Sequence, residues 1–152
     1  MTIFEKSTNN LMNTLKQTSP SELKGYLQEN FSEGTPSFSN YLDILFVQKN
    51  LKRQDVLIRA NLPQKYGYKL LTGEVHTTNR DKILCICFAM EMSLKQTQRA
   101  LKLYGMNELY TKIKRDVLLI VALGQKIYDI DKVNEMLINE DEQPLYDIEA
   151  VE

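Results

Sequence analysis

Residues 59–74, RANLPQKYGYKLLTGE, constrain the fold more than any other stretch. Pro63 and Gly73 bracket a short helix over 64–72, reached from the end of a preceding helix through the three-residue turn Asn61-Leu62-Pro63. Gly73 is well placed to close it in a left-handed conformation. A helix this short does not persist alone in water, because nucleation costs more than a few hydrogen bonds return. The rest of the chain must therefore prop it from several sides.

The flanking sequence supplies helices for that purpose and no strand-type alternation. Leu11 and Leu15 suggest a short amphipathic helix near the N-terminus. Ser19-Pro20-Ser21-Glu22 then carries a cap, a first-turn proline and an acid, opening a helix over 20–29 with Leu23, Tyr26 and Leu27 inward. FSEGTPSFS breaks the pattern and marks a boundary. Residues 37–49 place Phe38, Tyr41, Leu42, Leu45 and Phe46 on one helical face, and 52–60 follow with Val56, Leu57 and Ala60. Residues 79–91 are apolar nearly all round, which predicts a central helix. Ser93 and Gln96 form a capping box for a helix to about Tyr104, stopped by Gly105.

A long helix over 108–123 is expected next, then one capped by Asp129 with Val133, Met136 and Leu137 inward. From Asn139 onward the sequence is acidic and poor in apolar residues, so a loosely held tail is expected. The expected organisation is all-α: an N-terminal helical extension over 1–36, a helical domain over 37–105, C-terminal helices over 106–139 and an acidic tail over 140–152.

Charge is distributed unevenly beneath a net value of −1. Residues 49–82 hold eight basic side chains against three acidic, whereas 129–152 hold one basic against nine acidic. A basic centre points to a polyanionic partner, or to a tail that covers it. The bland alternative is a set of solvated helix faces. MTIFEKSTNN lacks the basic flank and apolar run of a secretory signal, so a cytoplasmic setting is expected. The apolar run VLLIVAL is too short for a membrane span, and no membrane association is expected. Cys85 and Cys87 lie inside an apolar run and read as small buried hydrophobes, with no metal site and no cofactor expected. One histidine, no serine elbow and no phosphate-cradling glycine loop leave an enzyme reading with little support.

The five helices expected over 37–104 resemble the DNA-binding domain of phage-type repressors, the bacterial XRE family with its lambda-repressor-like fold. That family opens its second helix with Leu-Thr-Gln-x-x-Leu-Ala and closes its third with Glu-x-Gly, and this chain aligns with it without a gap over 51–73. Leu51, Val56, Leu62 and Gly73 stand at the family's leucine, buried aliphatic, turn plug and closing glycine. Arg53, Leu57, Asn61 and Leu71 depart from its glutamine, alanine, turn glycine and frequent glutamate, and Gly67 stands where a β-branched residue is usual. Leu57 and Gly67 together suggest a large and a small side chain exchanged across one contact. KYGYKLLTGE, NRDKIL and VNEMLINEDEQPLY are also similar to small bacterial regulators of this fold, mostly from Gram-positive organisms.

The resemblance implies a sequence-specific DNA-binding transcriptional regulator that lays the 64–72 helix in the major groove of double-stranded DNA. Gln64, Lys65, Tyr68 and Lys69 would then face base edges, glutamine pairing with adenine and lysine with guanine. Lys52, Arg53, His76, Thr77 and Arg80 would touch phosphates, helped by the helix N-terminus near Asn79. The alternatives for these residues are that Gln64 is only a solvated first-turn side chain and that His76 is an ordinary surface residue. Tyr66 and Tyr68 cannot share a face, so one should pack inward. A homodimer is expected, with 108–139 as the surface for it. The competing reading is a protein-interaction module that keeps the fold without DNA readout, supported if Leu57, Leu71 and the tyrosines form an exposed apolar patch.

Overall fold

The computed structural model describes residues 37–146, and the two helices expected N-terminal to them lie outside that range. Seven α-helices and no strands occur among the described residues. They are α1 (Phe38–Gln48), α2 (Arg53–Arg59), α3 (Gln64–Thr72), α4 (Arg80–Ala89), α5 (Leu94–Leu103), α6 (Lys114–Gly124) and α7 (Ile130–Asn139). None is long and apolar enough to cross a membrane.

The core is built around α4, as its uniformly apolar sequence requires: every residue from 83 to 90 is at most 3% exposed. Helices α2, α5 and α7 pack against it. Helix α1 lays Tyr41, Leu42, Leu45 and Phe46 against α3 and α5, while α6 joins α5 to α7. Cys85 and Cys87 lie within this core, and burial pushes both thiols up to about 12, so they stay protonated and apolar in character.

Helix starts follow local chemistry. Asn79, Ser93 and Asp129 accept first-turn backbone N–H groups, and Ser93 and Gln96 complete both halves of the capping box. Helix ends follow a rule of their own. Each of the seven helices is followed by a left-handed residue, which is glycine only at Gly73 and Gly105; Asn50, Asn61, Glu91, Lys126 and Asp141 serve the other five. After six of the seven, the next N–H bonds back five residues, as in Leu51 to Phe46, Leu62 to Leu57, Met92 to Cys87 and Ile127 to Ala122. This closure satisfies orphan carbonyls, and in these four cases it also turns an apolar residue back toward the helix it ends.

A side chain in this conformation costs about 1–2 kcal/mol relative to glycine. Lys126, exposed and with φ 58°, is therefore a place to gain stability. Lys126→Gly is expected to raise stability by about 0.5–1 kcal/mol, read as a rise of a few degrees in the thermal midpoint. An unchanged or lower midpoint would show that the position is not strained.

Three expectations change. The 108–123 helix begins only at Lys114, because side chains occupy the backbone that would have started it. Gln98 accepts from the Leu109 N–H at 2.7 Å and donates to the Leu109 carbonyl at 2.9 Å, while the Asp116 carboxylate accepts from the Tyr110 N–H. In α7, Asn134 is buried and Met136 only half-buried.

The third change concerns the tail, whose described part, 140–146, is fastened rather than loose. Leu145 is 4% exposed, and its N–H donates to the buried Asn134 Oδ1 at 2.8 Å. Lys114 donates to the Glu140 carbonyl, and Arg115 to those of Gln143 and Pro144. Tyr146 donates to Asp131 at 2.6 Å; burial first, then this carboxylate, pushes its phenol up to about 12. One leucine and a set of bonded carbonyls hold a segment whose composition alone reads as unstructured.

Candidate nucleic-acid interface

Helix α3 is held by a contact between its smallest residue and a large one on α2. An added Cβ at Gly67 would lie 2.5 Å from Leu57 Cδ2, and Leu57 is fully buried, so the leucine fills the space that a side chain at 67 would need. Leu70 and Leu71 complete the inward face. The suspected exchange of large and small side chains across α2 and α3 is a physical contact.

On the opposite face Lys65, Tyr68 and Thr72 are exposed, with half-buried Gln64 and Lys69 at its two edges. The four residues expected to read bases thus lie together on one surface of α3. Gln64 Nε2 donates to the Gln54 carbonyl at 3.2 Å, which orients its amide from the first turn of α2. The tyrosines divide as their spacing requires. Tyr68 is 40% exposed, whereas Tyr66 leans toward α4, its ring 4.7 Å from the Lys82 ammonium.

The five residues expected at phosphates fall into two groups. Lys52 is exposed at the N-cap of α2 with no side-chain cap bond, and His76 is exposed and stacked on Tyr104, centroids 4.5 Å apart and 6° from parallel. The other three are engaged within the fold. Arg53 pairs with Asp43 at 2.6 Å while its guanidinium lies 4.4 Å from the Phe46 ring centroid. Thr77 is 8% exposed; its N–H donates to the Tyr104 hydroxyl and its Oγ1 accepts from Asn79. Arg80 forks onto the fully buried Asp116 carboxylate and also donates to the Asn107 carbonyl.

The N-terminus of α4 is likewise satisfied from within, because Asn79 caps it and Asp81 in its first turn already offsets the helix dipole. Asp81 in turn takes a two-pronged contact from Arg115. None of these three partners, Asp43, Tyr104 and Asp116, was accessible to sequence reading, since each lies 10 to 36 residues away in the chain.

Lys52, Lys65 and Lys69 make no ion pair among the described residues, and Lys82 meets a tyrosine rather than a carboxylate. The surface around α3 therefore offers uncompensated ammonium groups beside an aromatic ring and an oriented amide. Such a set matches a polyanion whose units also present flat hydrogen-bonding edges. No family model, curated protein or solved structure matches this chain, so the reading of this surface rests on its own geometry.

Proposed function

We propose that the protein is a sequence-specific DNA-binding transcriptional regulator in which α1–α5 form a lambda-repressor-like domain and α3 enters the major groove. The observation that carries this reading is the outward face of α3, with Gln64, Lys65, Tyr68 and Lys69 on a helix seated against Leu57. An α-helix about 10–12 Å across with its side chains fits a major groove roughly 12 Å wide, and the nine residues of α3 are enough to present two turns along it. Lys52, and more weakly His76, serve the phosphates. Arg53, Thr77 and Arg80 act mainly through the fold, which leaves few direct phosphate contacts per copy and favours a form with two copies on adjacent half-sites.

The interaction-module alternative loses the feature that would have favoured it. Leu57 and Leu71 are buried, and only Tyr68 of the two tyrosines on α3 is exposed. Because 140–146 is a fastened segment, a truncation that probes the acidic tail should begin after Tyr146.

Fluorescence anisotropy against random and selected duplexes over a salt series tests the proposal. Wild-type protein is expected to bind with an affinity that falls steeply with salt. Lys65→Ala is expected to weaken binding by about 1–3 kcal/mol on preferred sequences, and Gln64→Ala to relax the preference at one position by a similar amount. Lys52→Ala should lower the salt slope by about one without changing preference. No binding at low salt, with or without residues 147–152, would remove DNA as the ligand.

A further inference from the structure

The ends of α2 and α4 and the start of α7 border a cleft of about 710 Å³, lined also by Tyr146 of the fastened tail segment. Its volume is that of a small-molecule pocket. Ile58, Phe88 and Ile130 give it an apolar lining, and Tyr128 and Tyr146 add two aromatic rings. It shares no residue with the outward face of α3.

The charge of this cleft is unbalanced. Three carboxylates line it against one cation, and that cation, Arg59, lies 3.7 Å from Glu91 and answers it alone. Asp129 accepts from the Asp131 N–H and Asp131 from the Tyr146 hydroxyl, both neutral donors. Neither aspartate makes an ion pair among the described residues. Helices α2 and α4 both end at the cleft, and the partial negative charge of a helix C-terminus adds to the aspartates, while the N-terminus of α7 offsets part of it. Burial first, and then Glu91, raises the Tyr128 phenol, so both tyrosines stay neutral and offer faces that attract cations.

We infer that the cleft binds a small organic cation, an amine carried on an aromatic or apolar body. The apolar lining takes the body, while the two unanswered aspartates and the tyrosine rings take the ammonium. An anion of the same shape meets the aspartates as like charges. A bare metal ion does not suit the site either, because no group of three carboxylate, histidine or cysteine side chains able to hold one occurs among the described residues. The inference stands apart from DNA reading, and its test contains no DNA, so the two fail separately.

The probe is tryptamine, an aromatic monoamine, set against indole-3-propionate, which carries a carboxylate on the same ring system. The chain has no tryptophan, so indole emission reports the ligand alone. With the probe at about 20 µM and the full chain raised to about 1 mM, fluorescence anisotropy is expected to give a dissociation constant on the order of 0.1–1 mM. Indole-3-propionate is expected to bind at least about tenfold more weakly. Ethylamine, the ammonium without the body, should displace tryptamine only at about tenfold higher concentration or more.

Asp129→Asn combined with Asp131→Asn removes both charges but keeps an acceptor for each hydrogen bond, and asparagine still caps α7. This double variant is expected to bind tryptamine about tenfold more weakly. Glu135→Gln, at an exposed position of α7 outside the cleft, should change nothing. Amide NMR shifts of the wild-type chain locate the ligand without any variant and are expected at Glu91, Tyr128 and Tyr146. Absence of tryptamine binding, equal binding of the two indoles, an unchanged constant in the double variant or shifts confined to another surface overturns the inference. Displacement by ethylamine at equal concentration overturns the assignment of an apolar body.

Discussion

Arg80→Ala is expected to lower stability by about 3–5 kcal/mol, a large share of what a domain of this size possesses. The reason lies in what it would leave behind. Asp116 is fully buried, and Arg80 provides its charge partner, while the Tyr110 N–H supplies one more bond. Removing the arginine strands a carboxylate in the interior. Urea unfolding measures the loss, and adding Asp116→Asn is expected to recover at least half of it, because the amide still accepts from Tyr110 without needing a counter-charge. Arg80→Lys should recover less than the charge alone suggests, since a single ammonium cannot reproduce the fork. At a temperature where Arg80→Ala stays folded, the salt slope of DNA binding should be unchanged. A slope lowered by about one would return Arg80 to the phosphate contacts.

The second large effect concerns the packing of α3 on α2. Leu57→Ala is expected to destabilise by about 2–5 kcal/mol, because the side chain is completely buried. Gly67→Val is expected to cost about 1–3 kcal/mol, because its Cβ would already collide with Leu57. Combined, the two remove three carbon atoms and add three in the same space. The double variant is therefore expected to be more stable than the sum of the single changes by at least about 1 kcal/mol. Strict additivity in thermal or denaturant unfolding would show that the two residues do not share one packing site, and would undermine the account of how α3 is seated.

Much of the helical framework was legible because its signals are local. The proline and glycine around α3, the capping box at Ser93 and the unbroken apolar run of α4 each act within a few residues. The left-handed ends at Glu91 and Lys126 were not legible, since neither residue type announces that conformation; what fixes it is the bonding of the following N–H back to the helix. The late start of α6 was hidden for a different reason. Gln98 on α5 captures the Leu109 backbone and Asp116, in the first turn of α6 itself, captures the Tyr110 N–H, and no helical periodicity encodes that competition.

At the candidate site, the outward set on α3 could be read from helical spacing, whereas the occupation of Arg53, Thr77 and Arg80 could not. A surface arginine and a clasping arginine look alike in sequence. They differ only in what the rest of the chain brings beside them.

Two identical dipeptides, Arg80-Asp81 and Arg115-Asp116, pair crosswise, each arginine taking the other's aspartate. This reciprocal buckle binds the start of α4 to the start of α6, and Arg115 extends it to the carbonyls of the C-terminal strap. A fragment cut after Gly105 would retain α3 but forfeit one half of each pair, leaving opposite charges stranded at the mouth of its own central helix. The smallest piece worth expressing for binding studies therefore runs through Tyr146, and crystallisation designs that trim the C-terminal third should expect an unstable product rather than a minimal reader.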